Sequence, residues 1–369
     1  MSDPLNIIKP QVRALRAYTL SPDRASVKIN QNENPADAPV RIKQETLRRL
    51  STRKWSRYPD FVPASLCERL GKFAGWTPQG VIAGNGSNEL IQALLLVTVQ
   101  AGKRVLISEP TFALYRQITT VLGGAIETVP LTTDLQFDVA ALQSQIEETQ
   151  PDITIICSPN NPTGCVISDK ELVGLLRIAR GLIVVDEAYH EFATPRSPAE
   201  QPGWRGGHSV VPLLADHENL VVLRTFSKAM AMAALRVGYL LAAPELAREI
   251  AKAVLPYNLN AFSQTAAEVA VEMYEAELRP LVQEIVTERE RLYRELSNIN
   301  GLTPVPSQAN FMVVRSALEP KRVFAELLNR DILIRDVSGY PMLSDYFRVS
   351  VGTAEENDLL VKALQEILI

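Results

Sequence analysis

The residues best suited to chemistry begin with a single lysine, Lys228, in the stretch Arg224-Thr225-Phe226-Ser227-Lys228. It follows the apolar run Leu220-Val221-Val222-Leu223, and Arg236 comes shortly after it. Such a run reads as a buried strand. A lysine just past a buried strand is partly desolvated, which favours the neutral amine and makes it a candidate nucleophile for a carbonyl. Ser227 adds a hydroxyl and Arg236 a planar cation, a pair suited to a phosphate. The plainer alternative is a surface lysine whose stem lies along apolar neighbours with its ammonium in water. A carboxylate is placed similarly, because Leu182-Ile183-Val184-Val185 leads directly into Asp186, with Tyr189 three residues on. An aspartate that merely caps a helix after a strand is the commoner fate of such a residue.

Further polar groups recur at strand ends. Gly84-Asn85-Gly86-Ser87-Asn88-Glu89 joins a short apolar strand to an amphipathic helix. Glycines there let backbone N–H groups approach an anion, and the helix dipole favours negative charge. The stretch lacks both the Walker lysine and the G-x-G-x-x-G spacing, so it fits neither an NTPase nor a dinucleotide site. A helix simply capped by Ser87 or Asn88 explains it equally well. Ser158-Pro159-Asn160-Asn161-Pro162-Thr163-Gly164 forms a rigid turn after another apolar run and carries an amide side chain. Near the N-terminus, Asn30-Gln31-Asn32-Glu33-Asn34-Pro35 reads as a side-chain-bonded loop, and Arg57-Tyr58-Pro59-Asp60 as a proline-fixed turn. Arg335 and Arg348 each interrupt an apolar strand. A buried arginine needs an internal carboxylate or a ligand anion, and two in one small unit favour the anion.

The elements that must position these residues alternate. Strands are expected at Val81–Ala83, Arg104–Ser108, Ala125–Val129, Asp152–Cys157, the run ending at Asp186, Leu220–Leu223 and Val237–Ala242. Helices are expected at Val40–Leu50, Leu90–Val99, Thr111–Leu122, Val139–Glu147 and Asp169–Ala179. That alternation predicts an α/β domain around a mostly parallel sheet, with ligands at the C-terminal strand edge. From Glu245 the texture changes to long helices, with a break expected at Pro280, and then to a smaller α+β unit. This unit has strands at Asn310–Arg315, Ile332–Arg335 and Tyr346–Gly352, a helix at Lys321–Arg330 and a C-terminal helix from Ala354. Thr194–Gly207 reads as a surface loop. The division is an N-terminal arm over 1–37, a large domain over 38–254 and a small domain over 255–369.

The chain has 369 residues and a net charge of -4, which gives no support for nucleic acid or an anionic membrane as partner. No apolar run reaches the roughly 20 residues of a membrane span. The first residues show no secretory signal, so a cytoplasmic protein is expected. Three scattered cysteines and three histidines make neither a disulfide framework nor a zinc spacing, and no metal is expected.

Together, a lysine, a strand-end carboxylate, an aromatic, an amide and an anion cradle match what pyridoxal 5'-phosphate needs. From Tyr18 to the C-terminus the chain resembles the fold-type I, class II-like aminotransferases, within them the histidinol-phosphate aminotransferase branch. The landmarks are Asn32-Glu33-Asn34-Pro35, Arg57-Tyr58-Pro59-Asp60, Gly86-Ser87-Asn88-Glu89, Pro110-Thr111-Phe112, Asn160-Asn161-Pro162-Thr163-Gly164, Asp186-Glu187-Ala188-Tyr189, Ser227-Lys228 with Arg236, and Phe347-Arg348-Val349-Ser350-Val351-Gly352. Phe112, Asn88 and Ala234 stand where the family more often has tyrosine, aspartate and glycine.

The resemblance implies an aspartate-aminotransferase-like fold and a pyridoxal-phosphate-dependent transamination between histidinol phosphate or imidazole acetol phosphate and glutamate or 2-oxoglutarate. It implies Lys228 as the lysine carrying the cofactor, Asp186 as partner of the ring nitrogen, and Asn161 and Tyr189 at its phenolic oxygen. Phe112 is implied to stack on the ring, while Gly86, Ser87, Asn88, Thr225, Ser227 and Arg236 hold the phosphate. Tyr58 is implied to reach in from the other subunit of a homodimer. Arg348, Arg335, Tyr18 and Asn32 are implied to bind substrate. The rival expectations are an aromatic amino-acid aminotransferase, a threonine-phosphate decarboxylase and, outside enzymes, a cofactor-binding regulator.

Overall fold

The computed structural model describes residues 3–17, 22–193 and 208–368. In chain order its strands are β1 (Val27–Lys28), β2 (Val81–Gly84), β3 (Arg104–Glu109), β4 (Ala125–Pro130), β5 (Ile153–Cys157), β6 (Leu182–Asp186), β7 (Leu220–Thr225) and β8 (Gly238–Ala242). They continue with β9 (Leu302–Pro304), β10 (Phe311–Ser316), β11 (Ile332–Leu333), β12 (Arg335–Asp336) and β13 (Tyr346–Ser350).

Strands β2 to β8 form one sheet in the order β2-β8-β7-β6-β5-β3-β4. Strands β3 to β7 pair in parallel, and β8 runs antiparallel to both β7 and β2. Every residue of β5, β7 and β8 is buried, as expected for strands covered by helices on both faces. The two-residue period of a strand divides the apolar runs between two cores. Ile183, Val185, Leu220 and Val222 face one core, which Leu66, Leu70, Leu172 and Leu175 complete. Val184, Val221 and Leu223 face the other, with Leu90, Leu94 and Tyr115. The helix Asp169–Ile178 starts at a capping box of Ser168 and Glu171, which satisfies two otherwise unpaired N–H groups.

A second sheet runs β12-β13-β10-β9, all antiparallel, and β1 pairs in parallel with β11. Its core takes Leu292 and Leu296 from the helix Arg279–Ser297, Val323 and Leu327 from Pro320–Leu328, and Leu360 and Leu364 from Ala354–Ile367. The helix Ala261–Glu272 contributes Ala267, Val269 and Ala270 to a core of the large sheet.

Several sequence expectations differ from the structure. The helix expected from Thr111 begins at Leu114, because Thr111 and Pro110 are tied into a loop. There Thr111 Oγ1 donates to Asn160 Oδ1 at 2.8 Å and Asn160 Nδ2 to the Pro110 carbonyl at 2.9 Å. The long helical region breaks at the π-turn Tyr274–Leu278, ahead of Pro280, since proline is well accommodated in the first turn of the following helix. The single strand expected over Ile332–Arg335 is two, because β11 pairs with β1 and β12 with β13. The short strands β1 and β9 were not anticipated, since runs of two or three residues carry no periodicity. The expected loop Thr194–Gly207 lies outside the described residues.

Candidate active site

A cavity of about 570 Å³ opens where β2, β5, β6 and β7 end and the small sheet meets the large one. Ligands in open α/β sheets collect at this carboxyl edge, where the loops leave the strands. Asp186, the last residue of β6, lines the cavity with 3% of its surface exposed. Tyr115, from the helix Leu114–Leu122, donates to Asp186 Oδ2 at 2.6 Å, and the Ala188 N–H donates to Oδ1 at 3.1 Å. Burial pushes the Asp186 carboxyl up to about 6, with the Tyr115 hydrogen bond opposing the rise. Among the described residues no cation pairs with it, so a buried carboxylate faces the cavity without a counter-ion.

Lys228 stands three residues past β7 and is half-buried, with its Nζ donating to the Gln31 carbonyl at 2.9 Å. Burial brings its amine down to about 7, and the nearby Arg348 and Arg236 cations act in the same direction. The neutral amine is thus more favoured than in an ordinary lysine. It lies 5.9 Å from the centre of the Tyr189 ring. The Tyr189 hydroxyl accepts from Asn32 Nδ2 at 3.1 Å and from Asn161 Nδ2 at 3.2 Å. Asn161 Oδ1 in turn accepts from Arg348 Nη1 at 2.7 Å, and Arg348 Nη2 donates to the Asn30 carbonyl at 3.0 Å. Asn32 takes a left-handed backbone with φ 55°, which asparagine tolerates better than most residues.

The anion cradle forms at the start of the helix Ser87–Thr98. Its N-cap is Gly86, with no side chain capping it, rather than Ser87 or Asn88. The first-turn N–H groups therefore remain available. Ser87, Asn88, Thr225, Ser227 and Arg236 all line the cavity there. Arg236 Nη1 donates to Ser227 Oγ at 3.1 Å, and Thr225 Oγ1 donates to Ser227 Oγ at 3.0 Å. Gly86 has φ 80°, a conformation that favours glycine, and a Cβ on it would stand 2.4 Å from Arg236 Nη2 and push that guanidinium out of the cradle. Arg236 itself holds φ 53°, an unfavourable backbone for arginine of the kind found at binding sites.

Phe112 lines the cavity and meets the Tyr115 ring edge-on, with centroids 5.5 Å apart. Arg335 and Arg348 also line it, directly opposite each other on β12 and β13. Arg348 is buried and Arg335 half-buried. Tyr58 lies elsewhere, 80% exposed and stacked on Tyr257 with centroids 4.6 Å apart. Tyr18 lies outside the described residues. Sequence reasoning missed Tyr115, Tyr340, Gln31 and Cys157, which all line the cavity. The available signal for Tyr115 was its position three residues after Phe112. Gln31 presents only a backbone carbonyl to Lys228, which no side-chain pattern reveals.

The family model "Aminotransferase class I and II" matches residues 25–364. A histidinol-phosphate aminotransferase of Chlorobium phaeobacteroides is 36% identical over 360 residues, 97% of this chain and 96% of that protein. A second, from Carboxydothermus hydrogenoformans, is 40% identical over 345 residues, 93% of each chain. Among solved structures, the histidinol-phosphate aminotransferase of Sinorhizobium meliloti in complex with pyridoxal 5'-phosphate superposes with a TM-score of 0.85 at 25% identity, over 97% of this chain and 96% of that one. The L-threonine-O-3-phosphate decarboxylase of Porphyromonas gingivalis shares the fold, with a TM-score of 0.80 at 21% identity over 93% and 99% of the two chains.

The cofactor of this family, pyridoxal 5'-phosphate, fits the residues present. Its phosphate needs donors of the kind that Ser87 at the start of its helix, the Ser227 hydroxyl and the Arg236 guanidinium bring to one end of the cavity. Its protonated ring nitrogen needs a carboxylate such as Asp186, and its aldehyde an uncharged amine such as Lys228. A buried carboxylate without a counter-ion and an anion cradle in the same cavity are otherwise hard to reconcile with stability. The chain belongs to the class I and II aminotransferases, enzymes that work with pyridoxal 5'-phosphate.

Proposed function

We propose that this aminotransferase exchanges the amino group between L-histidinol phosphate and 2-oxoglutarate, in the direction that makes histidinol phosphate from imidazole acetol phosphate and glutamate. The observation that carries this reading is the pair of arginines, Arg335 and Arg348, paired across β12 and β13 and lining the same cavity as Lys228 and Asp186. Two adjacent guanidinium groups suit a phosphate monoester in one half-reaction and a carboxylate in the other. The full-length relatives of that name, at 36% and 40% identity, support the same substrate.

Bound pyridoxal 5'-phosphate supplies an electron sink for negative charge developing on the substrate carbon. Asp186 holds the proton on the ring nitrogen, because a carboxylate buried without a cation gains most from a cationic partner. Lys228 Nζ takes the proton from the substrate's amino-bearing carbon, a task suited to a base whose pKa lies close to 7. Tyr189 and Asn161 would hydrogen-bond the phenolic oxygen of the bound cofactor, and Phe112 would cover its ring. Ser87, Asn88, Thr225, Ser227 and Arg236 would hold its phosphate. Asn32, Arg335, Arg348 and Tyr18 hold the substrate.

The enzyme works as a cytoplasmic homodimer. The exposure of Tyr58, stacked on Tyr257 with Phe61 edge-on to the same ring, supports this reading, because an exposed aromatic cluster suits cover by a neighbouring subunit. Among the described residues no helix is long and apolar enough to cross a membrane.

Adding glutamate to the holoenzyme converts the cofactor's absorption from its aldehyde-derived band to that of its amine form. Imidazole acetol phosphate then restores the first band faster than phenylpyruvate does. A spectrum unmoved by glutamate sinks the transaminase reading. A faster return with phenylpyruvate, or carbon dioxide released from phosphothreonine, sinks the substrate.

A further inference from the structure

The hydroxyl of Tyr115 has no place in the roles above, although it is fully buried against the carboxylate on which the chemistry depends. Tyr115 has 0% of its surface exposed and donates to Asp186 Oδ2 at 2.6 Å, the short distance of a hydroxyl bonded to an anion. Its phenol also interacts with the thiol of Cys157, the last residue of the neighbouring strand β5, itself 2% exposed. The Cys157 thiol has the Pro159 carbonyl at 3.4 Å as a second partner. The backbone N–H of Ala188 secures Asp186 Oδ1 at 3.1 Å. Each carboxylate oxygen is thus held by one donor, Tyr115 from a helix and Ala188 from the turn after β6, which sets the orientation of the group.

We infer that Tyr115 is a positioning residue, whose hydroxyl keeps the Asp186 carboxylate ionised and aimed at the ring nitrogen of the cofactor. Three observations converge on it. First, a neutral core would place phenylalanine at this position, since a buried phenol without a function costs desolvation. Second, burial pushes the Tyr115 phenol well above its ordinary pKa, so it stays a donor across the working range and never competes with Asp186 as an anion. Third, Tyr115 joins the two walls of the ring's slot. It meets Phe112 edge-on at 5.5 Å, so one side chain supports both the ring-covering aromatic and the ring's counter-ion. Cys157 steadies the phenol from behind.

This inference rests on Asp186 meeting the ring nitrogen, but not on which substrate the enzyme takes. The test is cofactor affinity, measured by equilibrium dialysis of the full-length apoprotein. Pyridoxal 5'-phosphate is compared with its 1-deaza analogue, in which carbon replaces the ring nitrogen. Tyr115→Phe, which removes only the hydroxyl, is expected to weaken binding of the natural cofactor roughly tenfold and to leave the deaza analogue's affinity unchanged. In an Asp186→Asn background the same substitution is expected to have no further effect, because the bond it breaks then serves no charge. Cys157→Ala, which removes the support behind the phenol, is expected to give a smaller loss with the same selectivity. It keeps the question open to measurement if Tyr115→Phe fails to fold. Equal losses for cofactor and analogue, or additive losses in the double variant, would show Tyr115 to be core packing and overturn the inference. An Asp186→Asn protein that binds the natural cofactor as tightly as the parent would instead refute Asp186 as ring partner, a distinct result.

Discussion

Asp186 and Glu187 are adjacent carboxylates, both buried, yet they stand in opposite electrostatic settings. Glu187 belongs to the rear of the sheet edge. There Arg224 Nε donates to it at 2.9 Å, Ser209 Oγ at 3.1 Å and the Val210 N–H at 2.6 Å. Arg224 is further tied to the Tyr239 hydroxyl at 3.3 Å. Asp186, on the cavity side with Thr225, has one phenol and one amide as partners. The alternation of a strand therefore sends Arg224 and Thr225, neighbours on β7, to opposite sides, and only the rear carboxylate finds a protein cation. A buried charge that is fully paired serves the fold, and one left without a counter-ion is available to a ligand.

The sharpest way to break this comparison is at Lys228, the one lysine lining the cavity among the described residues. Lys228→Ala is expected to lower the transamination rate by roughly a thousandfold or more while leaving thermal stability close to the parent, as single-turnover rates and calorimetry would show. Loss of folding instead of rate would place Lys228 with the rear, structural residues. Next comes Glu187→Ala, which strands the Arg224 guanidinium in the core. Denaturant titration is expected to show a loss of about 3–5 kcal/mol, as for any buried pair robbed of one partner.

Asp186→Asn should do the reverse to stability. The folded-state pKa of Asp186 is raised to about 6, above the unfolded value of about 3.9. Between those values the native state binds the extra proton, so apoprotein stability falls as pH rises from about 4 to about 6, and the burial penalty is fully felt above that. Removing the charge is expected to flatten this slope and to raise apoprotein stability at pH 8 by roughly 2–3 kcal/mol relative to the parent, against little change at pH 4. Unfolding curves at the two pH values decide it, and an unchanged slope would mean that Asp186 is not the group that titrates. Arg348→Lys keeps the charge but loses the forked geometry that spans Asn161 and Asn30. It is expected to raise KM for the phosphorylated substrate roughly tenfold, with a smaller change in kcat.

The smallest effect expected is in the pH profile of reconstitution. The Lys228 amine, brought down to about 7, must be uncharged to attack an aldehyde, so the rate at which apoprotein takes up the cofactor should climb with pH through about 7 and level above it. A rise continuing to pH 10 would mean that burial does not depress the amine.

Much of the site was legible because its residues sit where a local pattern changes. Apolar runs ending on Asp186, before Asn161 and before Lys228 announce strand ends, and Gly86 announces a close approach. Arg335 and Arg348 could be singled out because arginine inside an apolar strand demands an anion. What could not be read was anything that depends on a partner distant in sequence. Tyr115 looks like one more aromatic on an amphipathic helix until folding brings it to Asp186, 71 residues away. The helix start at Leu114 depended on Asn160, and the split of Ile332–Arg335 on pairing with β1.

By itself, then, the amino-acid order determined the α/β alternation, the sheet's buried strands, the positions of the strand ends and the kinds of groups offered there, since hydrophobic periodicity and backbone preferences act over a few residues. Tertiary structure alone decided which carboxylate kept a counter-ion, how far Lys228 was neutralised and which arginines came to face each other. Desolvation and Coulomb interactions depend on distances that no local pattern encodes, and those distances are set by how the two sheets meet.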